Sequence, residues 1–496
     1  MSGELLILLA LAVPLFSALV TYAVGRMPDV RETMTMVTCI VLSIVTISML
    51  VRVGSGSPPT LMLARPIVGL DIAFKLEPLG ALFAVMASVL WSVNSMFSIG
   101  YMRGGRESNQ TRFYMCFALA MVGVMGVAMA ANLFTLFIFY EVLTFATYPL
   151  VTHKGGAAVR RAGRIYLGTL VGASVVLFLP GIIAVAVYAG STTFTPGGLL
   201  AGKVDGGVAS AILLLLTFGA AKAALMPLHM WLPNAMVAPA PVSALLHAVA
   251  VVNAGVFTVL KVSIYFFGPE LISTLPAANW ILWVAAATIV IASLVALTKD
   301  DLKARLAWST VGQLAYIISA AMLPWASGLV AGGLHMVFHA VAKMTLFMCA
   351  GAIYVATGAN RVSEMDGLGR RMPVVFVCFL IASLSVIGLP PMAGMWSKFL
   401  LVTASFGSNA WLTAAAMIAS SLLSVVYLLP VAFRALFPPQ GDPASRDFVR
   451  PGGTPGVALA AIVITSAACV VLFLFADPIA QYLDPIRTVS LVEGAP

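Results

Sequence analysis

Four charged residues stand inside stretches that are otherwise apolar. Glu141 lies within AANLFTLFIFYEVLTFATYP at residues 130–149, and Lys222, Lys343 and Lys398 interrupt three other apolar stretches. Each such charge at the centre of a membrane helix costs about 2.5–3.5 kcal/mol, so four together cost on the order of 10–14 kcal/mol. The usual offsets are partner charges and a water-filled ion path. A Glu and a Lys brought close stabilise each other's charged form, so a proton gained or lost by one changes the proton affinity of the other. That is the elementary event of a proton relay; the competing reading is a static ion pair that fixes helix packing.

His335, His339 and Lys343 follow at i, i+4 and i+8. At ~100° per residue they drift by only about 80°, so they line one helix face. Imidazole titrates near neutrality, which suits proton exchange. The alternatives are a metal site, which lacks a nearby carboxylate or Cys, or two core histidines. His247 follows the Pro-rich segment at 239–241 and His229 sits within a helix break. For each of these two, a structural role and a relay role stay open. Lys261 comes near the end of its apolar stretch and is expected to snorkel to the interface. His153 and Lys154 are expected to mark a cytoplasmic helix end. The other seventeen acids fall at the chain start, between apolar stretches or at the chain end, which leaves Glu141 as the one acid expected within the membrane.

These residues need helices that cross a bilayer, and the composition supplies them. The 496 residues are 61% apolar and 9% charged, with a mean hydropathy of +1.05, which excludes a soluble globular domain. The expected fold is an all-α polytopic membrane protein with about fourteen spans. They fall near 4–25, 33–53, 79–101, 113–131, 133–151, 164–190, 208–226, 243–267, 275–298, 304–323, 328–356, 373–406, 410–437 and 455–476. Glu4 and the lack of any Lys or Arg before the first apolar run argue for a retained helix rather than a signal peptide.

The net charge of +9 is topological. Eighteen of the 27 Lys and Arg residues fall in alternate loops, among them Arg103, Arg160, Lys303, Arg370 and Arg450. This positive-inside bias places both termini outside the cytoplasm and gives no reason to expect nucleic acid. Two stretches, 220–241 and 388–398, carry prolines at membrane depth and should contain interrupted helices, each beside a lysine. Paired broken helices in two halves characterise inverted-repeat transporters. Alternation over 68–77 predicts a small hairpin outside the membrane, and 438–454 reads as a flexible cytoplasmic loop. The five scattered cysteines form no CxxC pair, and no nucleotide or hydrolase motif is present, so no cofactor or metal is expected.

The motifs resemble one known family. FYEVLTFATYPL (139–150), AKAALMPLHMWLP (221–233), APAPVSALLH (238–247), DLKARLAWSTVGQL (301–314) and HMVFHAVAK (335–343) are similar to the antiporter-like subunits of respiratory complex I, membrane-bound hydrogenases and Mrp cation/proton antiporters. The resemblance covers most of the chain. It implies two inverted five-helix repeats, approximately 113–267 and 275–437, flanked by helices in 1–101 and 455–476. By resemblance, Glu141 and Lys222 form the core of one half-channel, His247, His335, His339 and Lys343 the bridging axis, and Lys398 the twelfth-helix position, which is Lys in some members and Glu in others. Several members carry a lysine midway along the eighth span, where this chain has Asn253.

Length and wording look most like the Mrp D-type subunit. The implied function is proton translocation within a multisubunit monovalent cation (Na⁺)/proton antiporter in the cell inner membrane, alongside other membrane subunits. A pumping subunit of a redox-driven complex is the alternative, and a scaffold with purely structural charges a third. A metabolite carrier fits less well, because the polar spots are titratable residues and form no substrate-sized cluster.

Overall fold

Capping residues and prolines decide where the helices begin. The structure, a computed structural model, describes residues 2–67, 70–324, 326–437 and 454–486, with the backbone alone at Ile67 and His247. Ser2 caps α1 (Gly3–Ala23). Pro28 opens α2 (Pro28–Gly54) and Pro78 opens α3 (Pro78–Gly105), positions where the missing N–H of proline has no intrahelical partner to lose. Between them β1 (Thr60–Ile67) pairs antiparallel with β2 (Leu70–Lys75), a hairpin whose second strand falls in the alternating segment 68–77 and whose first strand precedes it. After α4 (Gln110–Met129), the Asn132 side chain caps α5 (Leu133–Val151) by accepting the Thr135 N–H at 2.7 Å. α6 (Ala157–Ala173) and α7 (Leu179–Ala189) form one span through a π-helical turn at Ser174–Phe178.

α8 (Gly206–Gly219) ends at the first break. There the chain makes a short 3₁₀ turn, Ala221–Ala223, then α9 (Trp231–Asn234), before a long interrupted span. That span comprises α10 (Ala240–Leu245), α11 (Val251–Val262) and α12 (Gly268–Thr274), joined by π-helical turns at Leu246–Ala250 and Ser263–Phe267. α13 (Pro276–Thr298), α14 (Leu302–Met322) and α15 (Ala326–Thr357) follow. α16 (Pro373–Ile387) and α17 (Gly394–Gly407) are separated by the second break, and α18 (Trp411–Leu436), α19 (Gly456–Leu474) and α20 (Ala476–Tyr482) complete the described chain.

Both interruptions expected from proline are therefore present. Eleven helical stretches among the described residues are long and apolar enough to cross a bilayer. Each of the fourteen expected stretches contains helix, but three do not reach that standard. α8 is cut short by its break, 373–406 is split in two, and α14 carries Lys303, Arg305 and Gln313. Most of the interval 438–454, with Arg446 and Arg450, lies outside the described residues.

Burial sorts the helices into shells. The spans Ala240–Thr274 and Ala326–Thr357 are enclosed by protein along their 18-residue apolar cores, whereas α1, α2 and α19 are largely exposed. Phe16, Ile44, Val176 and Leu474 lie on these and other outward apolar faces, as a multi-pass membrane protein requires. α4 packs on α5, α13 on α14, and α15 touches α14, α16, α17 and α19. The enclosed helices carry most of the candidate chemistry.

Candidate functional site

The first break turns Lys222 into the middle of the bundle. Gly255 of α11 packs so tightly on the Lys222–Ala223 backbone that a Cβ there would collide with it. Lys222 is fully buried. Its Nζ donates to the Tyr140 carbonyl at 2.8 Å and the Thr144 hydroxyl at 2.6 Å, and lies 3.2 Å from the Tyr140 ring centroid. Its backbone N–H donates to the Tyr140 hydroxyl at 3.1 Å. A cation over a desolvated aromatic face contributes about 2 kcal/mol, so α5 offsets the charge of Lys222 largely without an acid. Among the described residues Glu141 makes no ion pair within 4.0 Å, and its two buried carboxylate oxygens have no hydrogen-bond partner there. The pair read from sequence is thus two neighbours within electrostatic reach, with Tyr140 and Thr144 holding the lysine.

The second break does the same for Lys398. Nζ donates to the Ile387 carbonyl at 3.2 Å and the Ser421 hydroxyl at 3.0 Å, and lies 5.1 Å from the Tyr316 ring centroid. Tyr316 also stacks on His335, with ring centroids 5.5 Å apart, and His335 stacks on His339 at 5.7 Å. Ser397, beside Lys398, meets His335 Nδ1 at 3.0 Å. One turn further along α15, Lys343 Nζ donates to the Leu306 carbonyl at 3.2 Å. His335, His339, Lys343 and Lys398 therefore form one contiguous buried array, with Tyr316 as the link between α15 and α17. Among the described residues, His335 Nε2 and both ring nitrogens of His339 have no hydrogen-bond partner.

The two groups are bridged less tightly. His229 packs edge-on against Trp308, centroids 5.2 Å apart, two residues along α14 from the carbonyl that holds Lys343. The His247 side chain lies outside the described residues; its backbone is in the π-helical turn Leu246–Ala250. Asn253 is buried and donates to the Ala248 carbonyl at 3.1 Å. Sequence reasoning missed Tyr140, Thr144, Tyr316, Ser397 and Ser421. Their one local signal is position: Tyr140 and Thr144 lie one residue before and three after Glu141.

Two expectations need correction. Lys261 does not snorkel: it is fully buried and paired with Glu77 at 3.3 Å. Glu77 and Glu32, acids outside the apolar stretches, are also buried. Glu32 is held by Arg31 at 3.1 Å and Arg103 at 2.6 Å, at the end where the basic loops gather. His153 does more than mark a helix end. It is buried, and its Nε2 meets the Ser108 carbonyl at 3.0 Å. A cavity of about 430 Å³ opens on the same basic face, lined by Lys154, Asn234, Asp301, Lys303, Tyr354 and other residues. It lies apart from the lysine–histidine array.

A polytopic membrane protein with cations buried at two helix breaks is a recognisable class. The chain matches the NADH:quinone oxidoreductase/Mrp antiporter transmembrane family over residues 130–424 and belongs to it. It is 32% identical to NADH-quinone oxidoreductase subunit N of Desulforudis audaxviator, covering 84% of this chain and 85% of that one. It is 33% identical to NAD(P)H-quinone oxidoreductase chain 5 of a Synechocystis species, covering 68% and 51%. Identity to Na⁺/H⁺ antiporter subunit A1 of Staphylococcus aureus is 30%, covering 69% and 44%. The chain thus spans about half the length of the latter two relatives. In fold it is similar to a chain of the Mrp complex from a Dietzia species, with a TM-score of 0.86, 23% identity and 99% of both chains covered. A chain of respiratory complex I from Thermus thermophilus aligns with a TM-score of 0.76 at 23% identity. Relatives span both antiporter and oxidoreductase complexes.

Proposed function

We propose that this chain is a proton-translocating subunit of a multisubunit monovalent cation/proton antiporter, set in the cell inner membrane among other membrane subunits. The observation that carries the reading is the contiguous array Lys343–His339–His335–Tyr316–Lys398, together with Lys222 on the Tyr140 ring. In this reading a proton loads Lys222 under the influence of Glu141. It then passes by way of the His229–His247 region to Lys343, along α15, and leaves near Lys398. Both termini lie on the non-cytoplasmic side.

The two halves, 113–267 and 275–437, act as inverted repeats. In support, each break lysine lies over a tyrosine from the second helix of its half, Lys222 over Tyr140 of α5 and Lys398 over Tyr316 of α14. The second half has Ile317 where the first has Glu141. Its proton affinity is therefore set without a neighbouring carboxylate at that position.

Glu141→Ala and Lys222→Ala are each expected to abolish cation-driven proton movement in everted vesicles while the complex assembles normally. Retained antiport in both would falsify the proposal. A second reading, a pumping subunit of a redox-driven complex, is favoured by the extended match to an oxidoreductase subunit N. Subunits that co-purify separate the two: iron–sulfur and quinone-site proteins mean redox, small membrane subunits mean antiport.

A further inference from the structure

Lys261 and Glu77 form a buried ion pair that the array above leaves unused. Lys261, on the last turn of α11, is fully enclosed, and Glu77, which precedes α3, is 7% exposed. Nζ lies 3.3 Å from Glu77 Oε2, donates to the Ala130 carbonyl at 2.6 Å, and sits 4.2 Å from the Phe194 ring centroid. The other groups facing the carboxylate are Tyr265, from the π-helical turn after α11, and Lys75, from β2.

Two segments flank this pair, the hairpin that runs into Glu77 and residues 192–200, which carry Phe194. Both are fastened to the turn between α4 and α5, whose Ala130 carbonyl accepts from Lys261. The hairpin is tied down by Ala131 N–H donating to the Ala73 carbonyl at 3.0 Å and Asn132 Nδ2 to the Asp71 carbonyl at 2.9 Å. The segment 192–200 is tied by Leu133 N–H to the Thr192 carbonyl, Phe194 N–H to the Ala131 carbonyl, and Leu199 N–H to the Tyr265 carbonyl. Phe74 and Phe194, one from each segment, are buried. The pair lies at the end of the bundle opposite the basic loops. Gly255, six residues or about 9 Å back along α11, abuts the Lys222 backbone, so one helix joins the two cations.

We propose that Glu77 and Lys261 are an outer proton-exchange station and seal for the first half of the chain, a reading that rests on proton translocation through Lys222. A proton reaching the Glu77 carboxylate from outside neutralises it and leaves the Lys261 ammonium unpaired. Lys261 then gives its proton inward, and the Glu77 carboxyl reprotonates the free amine. The pair returns to its starting state with one proton moved inward and none lost; reversal moves one outward.

The test uses the assembled complex. The double variant Glu77→Gln/Lys261→Gln leaves no unpaired buried charge. It is expected to assemble, to lose at least about tenfold in cation-driven proton movement, and to lose part of the pH dependence of the residual rate. Glu77→Asp is expected to recover most of the rate. Infrared difference spectra of the purified wild-type complex should show a carboxyl band that grows on acidification, shifts in Glu77→Asp and is missing in the double variant. A wild-type rate and pH profile in the double variant means a purely structural pair and overturns the proposal. So does a spectrum that neither Glu77→Asp nor the double variant alters. The spectra need no transport, so they decide the titration of Glu77 even if Glu141→Ala and Lys222→Ala prove silent.

Discussion

At the scale of single residues, the charge of Lys222 is stabilised mainly by groups that cannot titrate near neutrality. The Tyr140 carbonyl, its ring face and the Thr144 hydroxyl surround Nζ. A hydrogen bond to a charged group contributes about 1.5–3 kcal/mol, so Thr144→Val should slow proton movement by about 10- to 100-fold while Thr144→Ser stays near wild type. Initial rates in everted vesicles check this. Near-equal rates for the two variants would mean that the hydroxyl does not matter. Ser397→Ala, which frees His335 Nδ1, should lower transport and leave assembly unchanged. The lysines and histidines were legible in the sequence, because a charge within an apolar run needs no structure to be noticed. Their partners were not, since a tyrosine or serine in such a run looks like ordinary core. The Glu77–Lys261 pair was invisible for another reason: 184 positions separate its members, and only the fold brings them together.

At the scale of elements, the breaks and the basic-side loops carry the consequences. Gly388 follows α16 with φ +93°, and a Cβ there would lie 2.8 Å from Lys398 Cδ. Gly388→Ala should therefore cost about 1–3 kcal/mol of stability and disturb the lysine's setting, read as a lower melting temperature together with slower transport. Both breaks were foreseeable because proline forbids the helical hydrogen bond. The three π-helical turns were not, because an inserted residue shifts the helical phase by about 100° and segments apolar on every side, such as SVVLF and SIYFF, show no trace of that shift.

The turn after α5 makes a pH prediction. Burial, followed by the Arg112 charge, holds the His153 pKa below its ordinary value. The folded state thus favours the neutral ring, and its contribution to stability is present at high pH and lost as pH falls through about 6.5, the unfolded value. Melting temperatures of the solubilised protein should fall over that window, and His153→Gln should flatten the fall. An identical slope in the variant would assign the effect elsewhere.

At the scale of the whole molecule, the alternation of basic loops sets a testable orientation. Ser57 and Gly155 are exposed, and the positive-inside bias would place them on opposite sides of the membrane. The five native cysteines are all free and buried, which keeps labelling background low. A Ser57→Cys variant should react with an impermeant thiol reagent only from the non-cytoplasmic side, and Gly155→Cys only from the cytoplasmic side. The reverse pattern would invert the topology and with it the direction of every step proposed above.

The stripe on α15 lies on a single uninterrupted helix of 32 residues, and its three members, His335, His339 and Lys343, are all enclosed by protein. From His335 to Lys343 it advances eight residues, about 12 Å, or roughly two-fifths of a ~30 Å hydrocarbon layer. Distance along it is therefore depth, and a proton handed from one end to the other crosses that share of the electric field. The work involved is about 0.9 kcal/mol per 100 mV. Voltage alone can bias the occupancy of the two ends of the stripe by about fivefold, with no helix having to move.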